Sequence, residues 1–138
     1  MKFSKKLTIA FIVLSITLIV LFVVPYFANI VMPWQKSNAI KTALGWVGIS
    51  RLPPHAKNVS VKTKGSMFTR QFILEFYSDS TEFKDWIQQV PKIKGSPPTM
   101  LTDATIEYEV RPGENGSNGG TIKLNKLTGQ VIIDVSQS

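Results

Sequence analysis

Residues 7–24 are Leu, Ile, Val or Phe at 14 of 18 positions, and no charged side chain occurs from residue 7 to residue 35. Such a run has no polar face to turn toward water, so it does not read as an amphipathic surface helix. A bilayer crossing takes about 20 predominantly apolar residues as helix. Each Leu, Ile, Phe or Val near the centre favours insertion by about 0.3–0.6 kcal/mol, so fourteen supply about 4–8 kcal/mol as an upper figure. Thr8, Ala10, Ser15 and Thr17 are the interruptions, and the hydroxyls can bond back to carbonyls of the preceding turn. The pattern predicts a basic tail over 1–6, a transmembrane anchor over 7–32, a juxtamembrane helix over 33–50 and a folded domain over 51–138. Tyr26, Phe27 and Trp34 are expected at the lipid–water interface, with Pro25 kinking or ending the helix. A cleaved signal peptide would have an apolar region of about 7–15 residues and a small-x-small site. The run here is longer, and Tyr26 stands where a small residue would have to precede Ala28. An uncleaved anchor is therefore expected.

Downstream, the hydrophobic period changes twice. Ile40, Ala43, Leu44 and Val47 recur at helical spacing, with Ser37 as N-cap, Gly48 as stop and Trp46 off the stripe. The Pro53-Pro54 step makes residues 51–55 a rigid extended connector. Alternation then takes over: Val59 and Val61, followed by Phe68, Arg70, Phe72, Leu74 and Phe76 on one face of a long strand. Ile73 and Tyr77 make its other face partly apolar, which predicts an interior position in a sheet. Lys64-Gly65-Ser66 is the turn between these runs. Phe83, Trp86, Ile87 and Val90 form a second helical stripe ended by Pro91, opened by Asp79 and Glu82 at capping-box spacing. Ile106, Tyr108 and Val110 alternate next, and Ile122 and Leu124 begin a strand that returns through a Thr128-Gly129 turn as Val131, Ile133 and Val135. The expected fold is α+β: one N-terminal transmembrane helix, then a small domain whose antiparallel sheet of about four or five strands packs against one or two helices.

Charge adds a direction. Lys2, Lys5 and Lys6 precede the apolar run, which favours a cytoplasmic N-terminus and an extracytoplasmic domain. Residues 36–74 carry seven basic side chains and no acid, and residues 36–138 carry thirteen basic against nine acidic. Lys57, Lys62, Lys64 and Arg70 are the candidate contacts to an anionic surface of lipid or wall polymer. Nucleic acid is not an expected partner on the outer side of a membrane. The chain has no cysteine, so no disulfide or lipoprotein attachment is available, which suits a bacterial envelope.

Candidate chemistry is sparse. The single histidine, His55, has no companion at metal-ligand spacing and no neighbouring Ser or Cys to activate; it reads as an exposed loop residue. Glu75, Asp79, Glu82 and Asp85 could in principle supply paired carboxylates, but an acidic first turn is what a helix dipole favours. Glu107 and Glu109 share a strand face and read as water-facing or partner-contacting. The glycine-rich residues 113–120 lack the Lys-Ser/Thr ending of a phosphate loop. No catalytic, cofactor or metal residue is assigned. The Leu-Pro-x-x-Ala-x-Asn-Val pattern at Leu52, Pro53, Ala56, Asn58 and Val59 resembles that of uncharacterised bacterial membrane-anchored or lipoprotein domains; the resemblance covers under half the chain and implies no site.

Three functions are carried forward. The first is a membrane-anchored, non-enzymatic binding domain for a protein partner, such as an immunity or inhibitor protein or an accessory subunit of an envelope complex. The second is a binder of anionic lipid or polymer, and the third a hydrolase with paired carboxylates.

Overall fold

The apolar run folds as helix from its first turn. In the computed structural model, which describes residues 4–65, 69–93, 97–112 and 119–137 apart from the side chain of Tyr26, helix α1 (Lys5–Leu18) is capped by Ser4. A π-helical turn, Ile19–Val23, leads into α2 (Val24–Phe27). Pro25 has no N–H to give to the carbonyl four residues back, and its ring would press on that carbonyl. The wider π register absorbs this: the Val24 N–H bonds to the Ile19 carbonyl, and the helix continues past the proline to Phe27. Ser15 and Thr17 donate their hydroxyls to the carbonyls of Phe11 and Val13 at 2.9 and 2.8 Å, so neither presents an unsatisfied group. Lys5–Val23 is long and apolar enough to cross a membrane, with mean hydropathy 2.6 and none of its apolar window buried by the rest of the chain.

A 3-10 turn, Pro33–Gln35, feeds α3 (Lys36–Val47) directly. The N-cap is therefore Gln35, with no side-chain cap bond, and Ser37 falls inside the first turn instead of capping it. Ala39, Ala43, Leu44 and Val47 form the buried stripe. Gly48 closes the helix in the left-handed region at φ 89°, a conformation that glycine adopts without a Cβ penalty. Trp46 is not wholly outside the packing, as its ring meets Phe72 edge-on at 4.9 Å between centroids.

Six strands follow: β1 (Lys57–Gly65), β2 (Arg70–Tyr77), β3 (Thr99–Met100), β4 (Thr105–Val110), β5 (Gly120–Asn125) and β6 (Gln130–Gln137). Helix α4 (Ser80–Ile87) lies between β2 and β3. All neighbouring strands are antiparallel, in the order β1-β2-β6-β5-β4-β3. The strand beyond the expected four or five is the two-residue β3. Strand β2 is flanked on both sides, by β1 and β6. Phe68 and Ser66, read as part of its face and of the preceding turn, lie outside the described residues, as does most of the glycine-rich loop.

Strand alternation gives the sheet two unlike faces. Phe72, Leu74, Phe76, Val131, Ile133, Val135, Ile122 and Leu124 point to the side covered by α3 and α4, and all are buried. Phe76 meets Trp86 edge-on at 5.8 Å, and Phe83 meets Tyr108 at 6.2 Å, so aromatic pairs from α4 lock the helix to two distant strands. Burial raises the Tyr108 hydroxyl above its ordinary pKa. Helix α4 ends at Ile87, earlier than its apolar stripe suggests, but Val90 is still fully buried and a 3-10 turn, Pro91–Ile93, continues the packing.

The hairpin joining β5 to β6 depends on Gly129. It sits at φ 73°, and a Cβ there would lie 2.6 Å from the Ser78 carbonyl oxygen. The Ser78 N–H in turn bonds to the Gly129 carbonyl at 2.9 Å. A left-handed backbone alone costs a residue with a Cβ about 1–2 kcal/mol. Gly129→Ala is expected to lower the melting temperature by at least about 4–8 °C for each kcal/mol lost, read by circular dichroism; an unchanged melting temperature would contradict the tight Gly129–Ser78 approach.

Candidate functional site

The other face of the sheet is where alternation leaves side chains that no helix covers. The strand register sets them in rows. One row runs Lys62, Ile73, Asp134, Thr121, Glu109, and the next runs Ser60, Glu75, Ile132, Lys123, Glu107, Thr99. Ile73 and Ile132 lie diagonally across β2 and β6, giving the face a small, partly buried apolar centre ringed by polar groups.

The polar groups hold one another in place. Gln71 Nε2 donates to Asp134 Oδ1 at 2.6 Å, Gln130 Nε2 to Glu75 Oε1 at 2.7 Å, and Lys123 Nζ lies 3.2 Å from Glu107 Oε2. Each pair crosses from one strand to its neighbour, the arrangement that stabilises a sheet by about 0.2–1 kcal/mol per pair. The two glutamine bonds are partly buried, whereas the Lys123–Glu107 pair is open to water on the lysine side. At the β4 end, Glu107 and Glu109 line an open hollow of about 490 Å³ with Thr99, Val110, Pro112, Gly119, Gly120 and Thr121. Glu109 is exposed, whereas Glu107 is tied to Lys123.

The four cations singled out as anionic-surface contacts do not form one cluster. Lys62 and Lys64 alternate with buried Val61 and so point to the uncovered face of β1, an edge strand. Lys57 stands opposite Tyr77 at the other end of that strand, beyond a register shift where Asn58 takes φ 51°. Arg70 shares the alternation of Phe72 and so belongs to the helix-covered side, exposed at the start of β2. It is opposite Gly65, at the same sheet end as Lys64. All four are exposed.

Of the carboxylates read as a conceivable catalytic pair, one is on the sheet and three belong to α4 and its cap. Glu75 is on the uncovered face, bonded to Gln130. Asp79 caps α4 by accepting from the Thr81 N–H at 3.0 Å, and Asp85 is exposed on α4. Glu82 does not reach back to complete a capping box. Its carboxylate accepts from the His55 N–H at 3.4 Å and also contacts His55 Nδ1. His55 is exposed, as expected, yet partnered, a pairing hidden from sequence by the 27 residues between the two groups. Beside it, Trp86 Nε1 donates to the Arg51 carbonyl at 2.7 Å. The proline connector is thereby pinned to α4 at two points. Among the described residues, no three His, Cys, Asp or Glu side chains are grouped so as to hold a metal ion.

Trp86→Phe keeps most of the buried ring but strands the Arg51 carbonyl. It is expected to cost about 1 kcal/mol, or about 4–8 °C in melting temperature, and to speed proteolysis between residues 51 and 56. A variant as stable and as protease-resistant as the parent would show that the connector is held by other means.

No protein-family model, no curated protein and no solved structure matches this chain.

Proposed function

We propose that the chain is a membrane-tethered binding module, holding a protein partner against the uncovered face of its sheet on the outer side of the membrane. The observation that carries this reading is that face itself: an apolar centre at Ile73 and Ile132 within a rim of mutually bonded polar side chains, borne on a rigid sheet behind an apolar helix. An apolar centre within a polar rim is the anatomy of protein interfaces. The outer-side placement follows from Lys2, Lys5 and Lys6 ahead of the span. Non-catalytic work is favoured by the local roles of Glu75, Asp79 and Glu82, which accept from Gln130, the Thr81 N–H and the His55 N–H. An immunity or inhibitor protein, or an accessory subunit of an envelope complex, fits such a module.

The tether and the face are tested separately. The full-length chain is expected to stay in the membrane pellet through alkaline extraction. Ile12→Arg combined with Ile16→Arg, each opposing insertion by about 2.5–3.5 kcal/mol, should release it to the supernatant or abolish its accumulation. For the face, a photocrosslinking amino acid is placed at Ile132 in the membrane-bound chain, with Asp85 on α4 as the comparison site. The expected result is one discrete protein adduct from position 132 and none from position 85. Equal adducts from both, or none from either, would overturn the reading.

A further inference from the structure

The hydrogen bond from Thr63 Oγ1 to the Asn29 carbonyl, at 3.4 Å, ties β1 to the segment immediately after the apolar helix. Asn29 lies two residues beyond the end of α2 at Phe27. Val31 packs against the domain core, so this segment is fastened to the domain at a second point. The sheet therefore has an end nearer the membrane. It is the end where Gly65 faces Arg70 and Arg70 faces Gln137. The opposite end holds Lys57, Tyr77, Gln130 and the β5–β6 turn.

The β1–β2 corner of the near end is basic; the acids in the row of Lys62 lie farther along the sheet, Asp134 on β6, bonded to Gln71, and Glu109 on β4. Lys62 and Lys64 flank Thr63 in sequence, are exposed, and have no carboxylate within ion-pair distance among the described residues. Arg70 is exposed across from Gly65. Between the helix and α3, Ile30 is 55% and Trp34 63% exposed, and Lys36 begins α3. An exposed tryptophan next to a membrane span, with lysines beside it, is the composition of a headgroup-level anchor.

We propose that this end of the sheet, through Lys62, Lys64 and Arg70, docks on the phosphate headgroups of anionic phospholipids in the leaflet the helix leaves, so that the strands stand on the membrane and the uncovered face is turned sideways. The proposal rests on the reading of Lys5–Val23 as a membrane span. It separates the four cations of the basic region into two groups. Strand β1 rises about 3.3 Å per residue, which puts Lys57 roughly 26 Å from the Gly65 end, about three screening lengths away at physiological salt. Lys57 is therefore outside the contact. A basic side chain near an anionic leaflet favours the docked orientation by roughly fivefold, so the three together act strongly. The competing role for Lys62 and Lys64 is to guard an edge strand against pairing with another sheet; that role has no dependence on lipid charge.

The test is lysine acetylation of the full-length chain in nanodiscs of phosphatidylcholine alone or with phosphatidylglycerol, read residue by residue by mass spectrometry. Lys62 and Lys64 are expected to react at least about fivefold more slowly in the anionic discs, while Lys57 and Lys126 react equally in both. High salt should abolish the difference. Arg70→Gln should weaken the protection of Lys64 without changing the melting temperature. Equal reactivity of Lys62 and Lys64 in the two kinds of disc would overturn the docking and leave the span standing. Failure of the chain to enter either disc would overturn both. Aggregation of Lys62→Gln/Lys64→Gln, with no lipid-dependent protection in the parent, would assign these lysines to edge protection instead.

Discussion

The pairing of β2 with β6 is the contact on which the domain depends. It runs without a break from Arg70 opposite Gln137 to Tyr77 opposite Gln130. It joins two pieces that are otherwise local: the β1–β2 hairpin and the β4–β5–β6 meander. Without it the β1–β2 hairpin would stand alone, and an isolated two-stranded hairpin is marginal in water. With it, Phe72, Leu74 and Phe76 stand beside Val135, Ile133 and Val131 and form the middle of the core. The cost is loop closure across more than fifty residues, which grows only slowly with loop length and which burial of these side chains offsets.

That pairing also settles the division of labour between the two faces. A one-residue slip would exchange them, carrying the core set to the solvent side. The aromatic side chains of α4 reach Phe76 on β2 and Tyr108 on β4, so the helix bridges the same junction from above. The connector before β1 is tied to α4 through Trp86 and Glu82. Everything on the covered side therefore reinforces the join between hairpin and meander. What remains uncovered is a face whose polar groups bond across the strands, including across β2–β6 itself through Gln71–Asp134 and Gln130–Glu75.

The apolar helix and the domain solve separate physical problems, and the short segment between them bears on both. The apolar helix carries its backbone hydrogen bonding past Pro25 by widening one turn, the internal bonding that a span in lipid would need. The domain buries its apolar side chains between the sheet and its helices. Asn29 and Val31 belong to the segment after the helix yet are fastened to the domain. The domain is thus held close to where the helix ends.

The apolar run, the two helical stripes, the alternating strands and the α+β class were legible in sequence, because each is a local periodicity set by the geometry of one element. Gly48 was legible as a stop for the same reason, since backbone conformation is a property of the residue in place; α4, expected to run to Pro91, ends at Ile87 and Pro91 opens a 3-10 turn instead. Ser37 was misread as a cap because the 3-10 turn at Pro33–Gln35 starts the helix earlier, and Glu82 as half of a capping box because a distant histidine takes its carboxylate. Which strands neighbour which, and hence that Ile73 and Ile132 share an uncovered face while Lys57 and Lys64 lie at opposite ends of a sheet, was decided only by the tertiary fold. Periodicity tells a residue which side of its own strand it occupies; it carries no information on the partner strand, because that choice is made by burial summed over residues far apart in the chain.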